Sequence, residues 1–152
     1  MAEIQFFQLF DGPVAATLPV LLNRSLERGW RVILRGTDPA RMAALDVDLW
    51  RRDDDGFLPH GLAGGPHDAL QPVLLTTGDG LPDGDCLICV DMATATPAEC
   101  ASLERVVLIF DGHDPQALDH ARGEWKALTG QGVPASYFAQ EDGRWVKKAE
   151  RA

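Results

Sequence analysis

A single α/β domain spanning residues 1–152 is what this sequence predicts, with a mainly parallel central sheet, helices on both faces and a short C-terminal hairpin. Three observations carry the prediction. Strand-like and helix-period segments alternate along the chain with short connections, as parallel strands joined by helical crossovers require. The runs Val73–Thr76, Cys86–Val90 and Val106–Phe110 are continuously apolar, the pattern of strands covered on both sides. A length of 152 residues with 45% hydrophobic content suits one folded domain with a real core.

Ile4-Gln5-Phe6-Phe7-Gln8-Leu9-Phe10 is close to alternating and reads as the first strand, broken by Asp11-Gly12-Pro13. From Val14, apolar residues recur at Leu18, Leu21, Leu22 and Leu26, one helical face, with Pro19 marking either a start or a kink. Gly29 ends that helix and Trp30–Leu34 forms a second strand. Asp38-Pro39 pairs an N-cap with a first-turn proline, opening a helix whose inner stripe is Met42, Leu45 and Leu49. The stretch from Asp53 to Gln71 is rich in glycine and proline and is expected to be irregular surface chain. Val73–Thr76 and Cys86–Val90 follow as buried strands joined by an acidic turn from Gly78 to Asp85. Thr96-Pro97-Ala98-Glu99 is a capping box for a short helix carrying Leu103, and Val106–Phe110 is the central strand. Asp114-Pro115 opens a helix to about Leu128 with Leu118, Ala121, Trp125 and Leu128 on one side, stopped by Gly130 and Gly132. Ala135–Ala139, Asp142-Gly143 and Arg144–Val146 read as a hairpin or short strand pair.

Composition narrows the function. Fourteen lysines and arginines against 23 acids give a net charge of -9, which disfavours direct binding of DNA or RNA. Three cysteines at 86, 89 and 100 make a poor disulfide framework and fit a reducing compartment. With no secretory pattern and no apolar run long enough for a bilayer, a soluble cytoplasmic protein is expected. Neither early strand is followed by a closely spaced glycine set or a Walker-type lysine, so nucleotide chemistry is not expected. Cys86 and Cys89 form a C-x-x-C, but residues three apart on a strand face opposite ways, which points to two structural thiols. His67 and His120 read as surface or hydrogen-bonded structural residues, and no metal, cofactor or catalytic residue is predicted.

What remains is docking. Trp50, Arg51 and Arg52, then Phe57-Leu58-Pro59-His60, gather aromatics, a rigid turn and charge just after a helix, and such groups in a loop usually meet a partner. On the last helix Arg122 and Lys126 are i,i+4 neighbours with Trp125 between them and the core stripe. Such a pair beside an indole suits a peptide bearing a carboxylate and an apolar residue, because a guanidinium can hold both oxygens. Periodicity alone favours the plainer reading, a solvated basic pair with Trp125 in the core.

Leu49-Trp50 followed by Phe57-Leu58-Pro59-His60-Gly61-Leu62-Ala63 resembles the chi subunit of bacterial DNA polymerase III. The order of the early aromatic strand, Gly29-Trp30-Arg31-Val32, Ala121-Arg122 and Trp125-Lys126 is similar too. The resemblance implies a mononucleotide-binding-like α/β fold and a non-catalytic replication subunit. It implies a link from the clamp loader, through the psi subunit or another clamp-loader component, to single-stranded DNA-binding protein. That link is made by holding the partner's acidic C-terminal tail, which ends in an apolar residue and a free carboxylate. Arg122, Trp125 and Trp50 match the tail-binding residues, with Lys126 beside them; Leu118 stands where members carry a further lysine, a loss that Arg51, Arg52 or Lys126 would offset. Phe57, with Leu58, Pro59 and His60, falls on the psi or partner face. The alternatives are an adaptor of another DNA-repair or helicase complex, or a small nucleotide-dependent enzyme on the same sheet.

Overall fold

The computed structural model describes residues 3–52, 59–78 and 80–151. Among them, one sheet contains β1 (Ile4–Leu9), β2 (Val32–Arg35), β3 (Gly61–Leu62), β4 (Val73–Thr76), β5 (Cys86–Cys89), β6 (Arg105–Asp111), β7 (Ala135–Glu141) and β8 (Arg144–Arg151). Their order is β3-β4-β2-β5-β6-β1-β7-β8, and every neighbour is parallel except the β7–β8 pair. Helices α1 (Val14–Glu27) and α2 (Pro39–Arg52) pack on one face, α3 (Pro97–Ser102) and α4 (Pro115–Gly130) on the other.

Side-chain alternation divides the apolar strands between these two layers. Val32, Leu34, Val107 and Ile109 enter the α1/α2 core, whereas Ile33, Val106, Leu108 and Phe110 enter the α3/α4 core. Cys86 and Cys89 obey the same rule and are buried in opposite cores. Burial pushes both thiols up, Cys86 to about 11 and Cys89 to about 12, so neither is a reactive thiolate at neutral pH.

The helix ends follow local chemistry. α1 begins after Pro13 and runs through Pro19 rather than starting there, because Leu18 before it and Leu21 and Leu22 after it are buried in one core. Gly29 adopts φ +79°, and its N–H and that of Trp30 close the helix on the carbonyls of Leu26 and Ser25, a Schellman ending. The Asp38 carboxylate accepts from the Arg41 N–H, and Asp114 accepts from the Gln116 N–H. Thr96 and Glu99 form both bonds of the expected capping box.

Three expectations change. The region taken as wholly irregular contributes β3, hydrogen-bonded to β4, and a 3-10 turn at Asp68–Leu70; a two-residue strand is too short to show periodicity. β4 and β5 lie on either side of β2, so the chain between them is a crossover rather than a turn. The C-terminal hairpin is far longer than expected. Asp142 and Gly143 both take positive φ, 52° and 75°, the two-residue loop whose twist matches paired strands. A β-bulge interrupts the pairing between Tyr137 and Phe138.

One buried ion pair ties the layers together. Arg35, at the end of β2, donates to both Glu99 oxygens, at 2.9 and 2.7 Å, and to the Thr94 carbonyl at 2.8 Å. Burial alone would raise the Glu99 carboxyl, but the Arg35 fork and the Thr96 N–H more than offset it and hold the pKa below the ordinary 4.5. Replacing Glu99 with Gln is expected to cost about 3 kcal/mol in urea unfolding at neutral pH, the scale for breaking a buried pair. A folded-state pKa held low confers stability that is complete above the unfolded value and lost as pH falls through the folded one. The gap between wild type and Glu99→Gln should therefore narrow in acid, and a gap independent of pH would contradict this assignment.

Candidate functional site

On the α4 face, Gln8 of β1, Leu118, Arg122 and Trp125 of α4, Tyr137 of β7 and Ala149 of β8 line a pocket of about 380 Å³. Strand register builds its floor: Phe6 of β1 pairs with Tyr137, placing Tyr137 beside Phe6 and Gln8 two residues further along the same face. Trp125 meets Phe6 edge to face at 5.5 Å and Tyr137 at 6.0 Å, while Phe6 and Tyr137 stack at 6.0 Å. Each such pair contributes about 0.5–1.5 kcal/mol beyond area burial, so the aromatic floor is rigid. The Tyr137 hydroxyl donates to Gln8 Oε1 at 2.6 Å, which leaves the Gln8 amide NH₂ as a donor at the pocket wall. Burial raises the Tyr137 phenol, and the nearby Arg122 charge opposes that rise.

Arg122 is exposed and has no ion pair among the described residues. A guanidinium at the lip of an apolar, aromatic pocket can take a carboxylate while the pocket takes the adjoining side chain. Trp125 is half-buried, its ring packed on the core and also exposed to the pocket, so the plain reading and the docking reading each describe part of it. Lys126 is exposed on α4 and does not line the pocket.

The structure does not bring Trp50 to this pocket. Trp50 is on α2, across the sheet, 45% exposed, with its ring centroid 4.1 Å from that of His60. Helical periodicity identifies a side chain's neighbours on its own helix, not the face of the sheet that helix covers. His60, read as a docking residue, is itself 4% exposed; its Nε2 lies 3.0 Å from the Asp46 carbonyl and 3.2 Å from the Asp46 carboxylate. It supports Trp50 from beneath rather than meeting solvent. Pro59 is half-buried beside Trp30 and Leu70, and Phe57 and Leu58 lie outside the described residues. Near Trp50, Val47 and Leu62 are also exposed, giving the α2–β3 edge an apolar patch. His120 bonds the Ala93 carbonyl, and His67 is exposed.

Gln8, Tyr137 and Ala149 were missed as site residues in the sequence reading. The only sequence signal was a tyrosine on a strand expected beside others; its place against Trp125 depends on register, which one sequence does not reveal.

Open α/β sheets usually bind ligands at the carboxyl ends of their strands. Here that crevice, about 350 Å³, is lined by Arg35, Thr37, Thr77, Met92, Thr94 and Thr96 among others. Its charged groups are engaged: Arg35 holds Glu99, and the Asp91 carboxylate accepts from Thr37, the Asp38 N–H and Arg41.

Comparison with known proteins agrees on the family. Residues 1–136 match the family model described as DNA polymerase III chi subunit, HolC. A DNA polymerase III subunit chi of Pseudomonas aeruginosa is 27% identical over 138 residues, covering 88% of this chain and 94% of that protein. A chain in the solved complex of a yeast Dbp5 variant with Nup159, a Gle1 variant, IP6 and ADP superposes with a TM-score of 0.61 at 12% identity. The match covers 93% of this chain but 42% of the other, a likeness of fold. The chain therefore belongs to the DNA polymerase III chi subunits, accessory proteins of a replicative polymerase holoenzyme.

Proposed function

We propose that this chi protein is a non-catalytic adaptor in DNA replication, holding the acidic C-terminal tail of single-stranded DNA-binding protein at the Arg122 pocket. The observation that carries the reading is an arginine with no ion pair among the described residues, set over a pocket walled by Trp125 and Tyr137. A tail that ends in an apolar residue and a free carboxylate matches both halves of that arrangement. The terminal side chain enters between the rings and Leu118, and Arg122 and the Gln8 amide meet the carboxylate. Leu118, in place of a further cation, gives affinity to apolar burial instead of charge. Lys126, one turn along α4, attracts the acids that precede the tail's end.

The other end of the link is the α2–β3 edge, where Val47, Trp50 and Leu62 are exposed beside Pro59; this apolar patch suits psi or another clamp-loader component. A net charge of -9 repels DNA from the rest of the body while one basic pocket selects an acidic peptide. Among the described residues no helix is long and apolar enough to cross a membrane. One shallow site for a short tail binds on the order of micromolar, and a partner presenting several tails gains by avidity.

Two outcomes are expected in calorimetry with a synthetic copy of the tail. Arg122→Ala should weaken binding by about 1–3 kcal/mol with an unchanged circular dichroism spectrum, since the side chain is exposed. Equal affinity in wild type and variant would remove Arg122 from the site. Trp50→Ala, on the opposite face, should leave tail affinity unaltered and weaken only clamp-loader capture; a tail-binding defect there would refute the two-face arrangement.

A further inference from the structure

Beneath the amino ends of the strands, on the α1 side, three arginines converge. Arg24 and Arg28 stand one turn apart at the end of α1, Arg105 opens β6, and with Gln5, Trp30, Glu3 and Glu104 they line a cavity of about 410 Å³. None of the three forms an ion pair among the described residues. The Arg105 Nε donates to Gln5 Oε1 at 2.9 Å, which fixes the guanidinium plane and leaves both terminal NH₂ groups for another acceptor. Gln5 donates to Glu3 Oε1 and Ser136 donates to Glu3 Oε2, so that carboxylate is already engaged. The Arg28 guanidinium lies over the Trp30 ring, 5.0 Å from its centroid.

Cations at a helix C-terminus are ordinary, each contributing about 0.3–1 kcal/mol against the dipole. That accounts for Arg24 and Arg28. It does not account for a partly buried Arg105 set against them, where burial, with the charges of Arg28 and Arg24 adding to it, lowers the guanidinium pKa. Two carboxylates, Glu3 and Glu104, border the same cavity, so the three guanidiniums outnumber the acids and leave a net positive basin that suits an anion. On the other side of Trp30 lies a shallow, mostly apolar groove of Leu26, Pro59, Leu70 and Pro72, bordered by Arg31 and Gln71, in which Leu70 is 75% exposed.

We propose that basin and groove together form a third docking site, for an acidic segment within a partner protein. Its carboxylates sit on Arg24, Arg28 and Arg105 while a neighbouring apolar side chain lies on Trp30 and Leu70. A nucleic-acid strand is the poorer fit: its phosphates need cations along the whole path, and beyond Trp30 the one cation in the groove's lining, Arg31, is already held by the carbonyls of Asp68, Gln71 and Asp83. A small free anion would use the arginines and ignore the groove. The site is across the sheet from the Arg122 pocket and does not rest on the tail reading.

The test uses an acidic, leucine-containing peptide blocked at both ends, which lacks the terminal carboxylate that Arg122 would require. Titrated into the ¹⁵N-labelled full chain, it should shift the Trp30 indole resonance, identified with Trp30→Phe. The double variant Arg24→Gln/Arg28→Gln should weaken this response about tenfold or more, whereas Arg122→Ala leaves it intact. Both replaced arginines are exposed, and an unchanged far-ultraviolet spectrum verifies the fold. No shift at Trp30, or an undiminished shift in the double variant, overturns the proposal. So does inorganic phosphate saturating the same resonance as tightly as the peptide, or oligothymidylate binding there more tightly.

Discussion

Strands covered on both sides leave no free face on which to display a functional group, and that constraint shapes this molecule. Val106 to Phe110 alternate between two cores without interruption, and Val32 to Leu34 do the same. Binding groups are therefore confined to strand ends, outer strands and the flanks of helices. Gln8 lies late in β1, Tyr137 is on the first strand beyond the fully covered region, and Arg105 is the first residue of β6. Both the Arg122 pocket and the Arg105 basin, the sites proposed for a tail and an acidic segment, arise where covering by helices is incomplete.

The carboxyl ends of the strands, where other α/β sheets place ligands, carry a different arrangement. Arg35 and Glu99 neutralise each other there with hydrogen bonds on both sides, and Asp91 is enclosed by Thr37, Asp38 and Arg41. Charges that could have met a substrate instead join β2 to α3 and the β5 loop to α2. In the proposed reading the same architecture serves attachment, with its chemically versatile end employed for cohesion.

Most of the architecture was legible in the sequence because its signals are local. Thr96 and Glu99 three residues apart announce a cap; Asp142-Gly143 announces a hairpin; an unbroken run from Val106 announces a strand with two covered faces. What was not legible depends on distant pairing. β3 has two residues, β4 and β5 flank β2 instead of each other, and Tyr137 meets Trp125 only through the register of β1 with β7. Arg122 and Trp125 could be grouped because they are three residues apart on one helix. Trp50 was grouped with them only through the family resemblance, and α2 covers the other face. His60 lost its surface role because Asp46, fourteen residues earlier, and the Trp50 ring lie over it.

The family match ends at residue 136, one position before the tyrosine that floors the pocket. The last wall is thus supplied by chain outside the matched segment, and the bulge between Tyr137 and Phe138 determines what that wall is made of. Counting back from the Asp142-Gly143 loop, uninterrupted pairing would set Lys148 opposite Tyr137; the extra residue moves Ala149 there instead. A methyl group then borders the opening where an ammonium on a long flexible stem would otherwise stand. One irregularity of backbone pairing thereby leaves the opening unobstructed and Arg122 as the nearest cation in its lining.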